Sequence, residues 1–343
     1  MNFSCHPDVG YFDSTNFYSL AMHLITIVST PFYLFGLYCI LFKTPEIMKS
    51  IKWYLLNLRI WIIIFDYSIT IMTIPFILAP FPAGFPLGVL RLFGVPTIIQ
   101  TLMVLIIFAY MLIAMIAIIE SRFNTVCTFS WKRKWKYWRR PWLVANHVIV
   151  LLFVIPIGFM VPDQQLARQI TFEKLPCLPS EIYNAPVLVL AIDYTYHFIA
   201  AVTYITFFTL QVIFFAGFLA WNSISQLMKN TMSRRTFNLQ RKFFITLLIQ
   251  LIVPLVFFFF PSFYVLVSVI IKYYNQAILN ILFVGASVQG IVSTWVMLLV
   301  YRPYRESVVS LFYKPFKATQ ENSLKQLNPL RGNGNSIGIV NVV

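Results

Sequence analysis

Seven stretches of this chain contain no Asp, Glu, Lys or Arg: 14–42, 67–90, 92–119, 141–162, 194–228, 243–271 and 273–301. Each exceeds the ~20 predominantly apolar residues that carry a helix across a bilayer. Hydrocarbon offers the backbone no hydrogen-bond partner, so segments of this kind must satisfy their own amides. The runs are apolar on every side, as in 101–119, and lack the alternation over ~10 residues that marks a transmembrane barrel strand. Composition agrees: 59% of residues are hydrophobic and 11% charged, against ~25% charged in an ordinary soluble domain. A cytosolic enzyme is excluded. The expected fold class is an all-α membrane protein, a seven-transmembrane helix bundle.

The spans are expected at 17–41, 53–79, 95–119, 141–161, 187–220, 243–270 and 277–301. The second is shifted upstream of its charge-free run, because Pro80, Pro82, Gly84, Pro86 and Gly88 break helices. The shift leaves Asp66 within the membrane and makes 80–94 a loop. Pro31, Pro75, Pro96, Pro156, Pro254 and Pro261 are expected to kink spans. The first apolar run has no preceding positive charge and is long enough to stay in the membrane, which argues against a cleaved signal peptide. Basic residues set the orientation, since loops rich in Lys and Arg stay cytoplasmic. With the N-terminus outside and the C-terminus cytoplasmic, 21 of the 26 fall inside, four outside, and Arg59 near the inner end of the second span, from which it can snorkel. The expected organisation is an extracellular tail over 1–16, a receptor-like bundle over 17–303, a short interfacial helix over 304–316 and a disordered cytoplasmic tail over 317–343. The net charge of +15 then needs no nucleic acid as partner. The stretch 131–140, alternating Trp and Tyr with Lys and Arg, suits anionic lipid headgroups and is compatible with a partner contact.

Chemistry-bearing motifs are absent or weak. There is no phosphate-cradling Gly-rich loop, His-Glu-x-x-His or Gly-x-Ser-x-Gly, and His6, His23, His147 and His197 are scattered. No enzyme activity, metal or cofactor is expected. Cys5 and Cys177 fall on the expected exterior, where they form either a disulfide or two unpaired thiols; Cys39 and Cys127 fall in or near the reducing side. Asn2-Phe3-Ser4 fits a glycosylation acceptor. Ionisable residues inside a membrane are candidate functional positions because their burial is unfavourable. Asp193 and His197, four residues apart on one helical face with Tyr194 and Tyr196 alongside, together with Gln100, are candidate liners of an outward-opening ligand pocket, or an interfacial hydrogen-bonded pair. Asp66, with Asn57 nine residues earlier, is a candidate intramembrane polar network. Glu120 and Arg122 are placed where they can latch to Arg241 or Lys242.

The segments "CILFKTPEIMKSIKWYLLNL" (39–58), "AGFPLGVL" (83–90), "VPTIIQ" (95–100) and "VPDQQLARQITFEKLPCLPSEIY" (161–183) resemble the nematode serpentine receptor class H chemoreceptors, and the likeness runs from the first span to "YRPYRES" (301–307). The resemblance implies a seven-span chemosensory receptor at the plasma membrane of sensory cilia; with the polar residues of the spans it leads to the expectation of a small molecule bound among the outer halves of spans 3, 5, 6 and 7. It implies a heterotrimeric G protein as partner, meeting 120–140 and 221–242 through Glu120, Arg122, Arg234, Arg235, Arg241 and Lys242. Glu120-Ser121-Arg122 is similar to the acidic-x-Arg ending of that family's third span, whereas rhodopsin-like receptors have the acid and arginine adjacent. Arg302-Pro303-Tyr304-Arg305 stands where an Asn-Pro-x-x-Tyr would end the seventh span. No Cys heads the third span, so a disulfide from there is excluded. The alternative class is a ligand-gated channel or small-molecule transporter; repeated halves and a ladder of mid-membrane charges, which a transporter calls for, are missing.

Overall fold

The computed structural model describes residues 10–46, 49–126, 130–175, 178–229 and 233–310. Cys5, Cys177, Asn2 and the tail 317–343 lie outside them. Seven helices are long and apolar enough to cross a membrane: Thr15–Phe42, Ile51–Met72, Thr97–Val126, Lys132–Phe159, Thr195–Met228, Phe244–Ile271 and Gln276–Val300. They form the bundle that the charge-free runs dictate.

The third span is the axial pillar. Every residue from Met111 to Ser121 is buried, which explains why its sequence is apolar all round. Ala109, Ala114 and Ala117 let neighbouring backbones approach, the usual role of small residues between membrane helices. It packs against the second, fourth and fifth spans, and the seventh packs against the first and sixth. Near one end of the pillar Phe123 is fully buried among Trp131, Trp135, Phe214, Phe215 and Phe218, with ring centroids 5.3–6.2 Å away.

The ends of the spans depart from sequence expectation, always at proline or at polar caps. The second span does not run to 79. Its α-helix Lys49–Tyr67 finishes in one π-helical turn, Ser68–Met72, and Ile74 turns the chain with φ 41°. Pro75 cannot donate to a helix and restricts the residue before it, so it opens a strand instead of kinking a span. Pro96 likewise precedes the third span rather than bending it. Pro31, Pro156, Pro254 and Pro261 do lie within helices. The fifth span starts at Thr195, not 187. The seventh is two helices, Gln276–Ser287 and Gln289–Val300, interrupted at Val288.

Residues freed from the second and fifth spans, with the expected loop 80–94, build a three-stranded antiparallel sheet, β1 (Pro75–Ile77), β2 (Ala83–Pro86) and β3 (Leu188–Val189), in that order, with Phe76 opposite Phe85 and Gly84 opposite Leu188. This sheet is an addition to the all-α expectation. Gly84 is required there, since a Cβ would stand 2.5 Å from the Phe76 carbonyl oxygen. The loop after the fourth span contributes a helix, Gln164–Lys174, whose first turn is capped by Asp163 Oδ1 accepting from the amides of Gln165 and Leu166. Gln164 ties that helix to the sheet through both the N–H and carbonyl of Val189, at 3.0 and 3.1 Å. The bundle thus has a sheet end and, opposite it, an end carrying the basic segments.

After the seventh span, residues 302–310 are helical and the rest of the expected 304–316 helix lies outside the described residues. Tyr304 and Val308 point into the core, and Tyr304 shares a 2.7 Å hydrogen bond with Thr44. Burial holds the Tyr304 hydroxyl above its ordinary pKa.

Candidate functional site

A cavity of about 430 Å³ lies directly beneath the sheet, within the size range of small-molecule sites. Its roof is Phe76, Phe85 and Pro86 with Tyr18 of the first span. Tyr18 donates to the Pro75 carbonyl at 3.1 Å and packs edge-on to Phe76, so the roof is fastened to the bundle. The floor is a triangle of Phe65, Phe108 and Phe258 from the second, third and sixth spans, with centroids 4.9–5.4 Å apart. Ile69, Val104, Phe283 and Ala286 complete the wall. Such a cavity excludes water and favours an apolar guest.

Its polar groups are few, and most are already engaged. Thr73 donates to the Ser68 carbonyl and Thr101 to that of Thr97. Gln100 differs. Its amide nitrogen donates to Val95 O at 2.8 Å, while its Oε1 is buried with no partner among the described residues. The cavity therefore offers one open acceptor to a guest carrying a hydrogen-bond donor.

Of the five residues singled out for ligand contact, Gln100 lines this cavity and Asp193, Tyr194, Tyr196 and His197 do not. The fifth span contributes no wall, because its helix begins only after the sheet has been formed. Asp193 precedes that helix, so it shares no helical face with His197. It is exposed, and its Oδ1 accepts from the Thr195 amide at 2.9 Å and hydroxyl at 2.6 Å. Those bonds hold its carboxyl below the ordinary carboxylate range. Both ring nitrogens of His197 are buried without partners among the described residues.

Below the cavity floor Asp66 is 1% exposed and accepts a hydrogen bond from Tyr33 of the first span. Its expected companion Asn57 is on another face, exposed beside the third and fourth spans. Arg59, expected to snorkel outward, is 3% exposed and reaches the seventh span instead, donating to Thr294 Oγ1 at 2.9 Å and to Ser293 O at 3.2 Å. The buried acceptors of the seventh span explain this: two charge-assisted bonds hold the guanidinium in the bundle. Asp66 Oδ1, Arg59 Nε and both amide atoms of Gln289 have no partner among the described residues. Gly290 makes the knot possible, since a Cβ there would sit 2.7 Å from Asp66 Oδ2. Sequence reasoning missed Arg59, Tyr33, Gln289 and Gly290; the signal available was a second ionisable residue two turns from Asp66.

At the basic end Glu120 is 3% exposed. Its Oε1 accepts from Trp135 Nε1 at 2.9 Å and its Oε2 from Arg139 Nη2 at 2.8 Å, and the same Arg139 nitrogen reaches Tyr54 OH at 2.9 Å. Among the described residues the latch is thus to the fourth span and not to Arg241: a buried carboxylate takes the nearest cation that can be desolvated with it. Arg122 lies within electrostatic reach of Tyr301. Arg234 and Arg241 are exposed. The side chains of Arg235 and Lys242 lie outside the described residues.

A family model described as serpentine type 7TM GPCR chemoreceptor Srh matches residues 13–314. Serpentine receptor class H-72 of Caenorhabditis elegans is 26% identical to this chain over 312 residues, covering 90% of each.

Proposed function

The chain belongs to the Srh family of serpentine seven-transmembrane chemoreceptors, and on that premise we propose that a small organic molecule binds in the cavity beneath the sheet and that its occupancy activates a heterotrimeric G protein at the basic end. The observation that carries this reading is the cavity itself: an apolar chamber roofed by strands, floored by three spans and provided with an open buried acceptor at Gln100. The guest is mainly apolar, with one donor. The excess of basic residues at the opposite end supports a topology with the N-terminus and sheet outside the cell and residues 120–140 and 221–242 facing the cytoplasm. Membership of a chemoreceptor family supports the plasma membrane, and sensory cilia in particular, as its place.

The mechanism follows from the floor. A ligand changes the equilibrium between arrangements only if it binds one of them better. Phe258 of the sixth span meets Phe65 and Phe108 under the guest and lies one turn from Pro254. Pressure on the triangle therefore moves the sixth span relative to the second and third at a point where its backbone hydrogen bonding is already interrupted. The sixth span leads to Arg234 and Arg241 at the basic end, and the third leads to Glu120 and Arg122. These ends form the surface that meets the G protein.

The test is expression with an N-terminal tag exposed at the cell surface, and recording of responses to a panel of small molecules with and without a G-protein blocker. A response abolished by the blocker supports the reading. A response that survives it, as an ionic current, replaces the reading with a ligand-gated channel. Charge reversal at Arg122 or Arg234 abolishes signalling while surface expression persists; unchanged signalling overturns the assignment of the coupling surface.

A further inference from the structure

A second hollow, of about 290 Å³, lies on the outer flank of the bundle between the second, third and fourth spans. Its walls are Trp53, Tyr54, Asn57 and Trp61, then Tyr110 and Ala114, then Leu143 and His147. Toward the sheet end it is closed by rings in contact, Trp61 on Tyr110 at 5.2 Å and Tyr110 on His147 at 4.7 Å. Toward the basic end its lining reaches Trp53 and Leu143. Two features single it out from an ordinary lipid-facing groove.

The first is Asn57. It is exposed on the flank of a membrane-crossing helix and has no hydrogen-bond partner among the described residues. It stands six residues inside the start of the second span at Ile51, or ~9 Å along the helix axis at 1.5 Å per residue. An amide in hydrocarbon demands a partner. A lipid lying in the groove supplies one if its ester carbonyl is drawn inward to meet the amide.

The second is the mouth. Leu143 and His147 face the groove, and Arg140 and Lys136 fall on the same face of that helix at spacings of three and four residues. Lys49 stands one turn before Trp53 on the facing helix. All three cations are exposed. Lys49 is already answered in part by Glu46 at 3.2 Å; a sterol hydroxyl would leave Lys136 and Arg140 uncompensated, and a zwitterionic headgroup would answer them only in part.

We propose that this groove is a binding site for one anionic glycerophospholipid, with an acyl chain between the three spans, an ester carbonyl accepting from the Asn57 amide and the phosphate among Lys136, Arg140 and Lys49. The lipid braces the coupling end. Tyr54 lines the groove and its hydroxyl also accepts from Arg139, the residue that holds Glu120. An occupied groove therefore stabilises the latch between the third and fourth spans.

The full chain, purified in detergent, is titrated with dioleoylphosphatidylglycerol or dioleoylphosphatidylcholine, and lipid retention is read by native mass spectrometry. Phosphatidylglycerol is retained preferentially. Arg140→Ala lowers that preference roughly fivefold, as expected for one cation near an anionic headgroup, and Lys136→Ala with Arg140→Ala brings it close to parity. Lys134→Ala removes an equally exposed charge from the opposite face of the helix and leaves the preference intact. Asn57→Leu weakens retention of both lipids. Equal retention of the two lipids by the unaltered chain overturns the proposal. So does an equal effect of Lys134→Ala and Arg140→Ala, which would reduce the groove to general electrostatic attraction. The positively charged positions are exposed, so these variants leave the core undisturbed.

Discussion

The Glu120–Arg139 pair is the point at which the bundle's packing and its proposed signalling can be measured in one experiment. Glu120→Gln keeps the shape of the side chain but leaves one acceptor oxygen in place of two, so with the bond from Trp135 kept it removes both the charge opposite Arg139 and the oxygen that accepts from it. Side-chain exposure is 4% for Glu120 and 24% for Arg139, and the two are 2.8 Å apart, so the bond is charge-assisted and mostly shielded from water. Bonds to charged groups contribute ~1.5–3 kcal/mol. Arg139 retains Tyr54 and some contact with solvent, which places the loss near the middle of that range, at ~2 kcal/mol. Arg139→Gln has a larger effect, since it leaves the less exposed carboxylate with Trp135 alone. The double variant pairs two neutral amides, and the cycle yields a coupling of ~2 kcal/mol. Thermal unfolding of the purified receptor reads this as a drop of ~3 °C for Glu120→Gln, given an unfolding entropy of ~2.1 cal/mol/K per residue. Tryptophan fluorescence is a suitable signal because Trp131 and Trp135 border the pair. If the latch holds the silent arrangement, the same ~2 kcal/mol shifts the resting equilibrium about 30-fold, and basal G-protein activation rises accordingly. A coupling below ~0.5 kcal/mol would refute the reasoning, because that is the level of exposed ion pairs.

Three further outcomes are expected. Gln100→Leu lowers the potency of agonists bearing a hydrogen-bond donor by about tenfold and leaves their donor-free analogues nearly unchanged, consistent with one lost bond of ~1–1.5 kcal/mol in dose–response curves. Gly290→Ala, normally a favourable change in a helix, destabilises the bundle by ~1–3 kcal/mol through overpacking against Asp66 and Tyr33, measurable as a lower unfolding temperature. Asp193→Ala speeds amide exchange at Thr195 without altering agonist potency. The native carboxyl is held below its ordinary pKa by Thr195, so its contribution is complete at neutral pH. It is lost as pH falls through the carboxylate range, and the exchange difference between variant and parent disappears with it.

The spans were legible because their signal is physical necessity: a backbone in hydrocarbon must be helical, and Lys and Arg interrupt it where water begins. The third span's uniform apolarity is explained by its central position, which the sequence alone did not single out, since every run is apolar on all sides. What the sequence concealed was pairing at a distance. The stretch 131–140 reads as a surface for lipid headgroups, yet Arg139 and Trp135 turn inward to a carboxylate on another helix, and no local pattern distinguishes them from Arg140 and Lys136. Arg59 reads as a snorkelling residue because its acceptors, Thr294 and the Ser293 carbonyl, lie 235 and 234 residues away. The sheet escaped notice for a different reason. Its strands are two to four residues long, shorter than any alternation can reveal, and the Pro and Gly residues that break the helix are the same ones that permit the strands. Losing eight residues of helix before Thr195 displaced Asp193 and Tyr194 from the wall where a longer fifth span would have put them.

The polar residues buried in the bundle are not distributed evenly, and their positions bear on how occupancy travels. Phe65 belongs to the cavity floor and Asp66, its neighbour, to the knot with Tyr33 and Gly290. Ala286 belongs to the wall and Gln289 to the knot, with the helix break at Val288 between them. Both elements that touch the guest are therefore continuous with elements that hold unsatisfied buried polar atoms. Unpartnered groups are unfavourable in any arrangement that leaves them so, and an arrangement that pairs them is favoured by comparison. A guest need supply only the difference between the two. A knot fully paired in this arrangement would deepen it and raise the affinity difference required of any ligand, so on the proposed reading the incomplete hydrogen bonding beneath the cavity lowers what a small apolar guest must supply to shift the bundle.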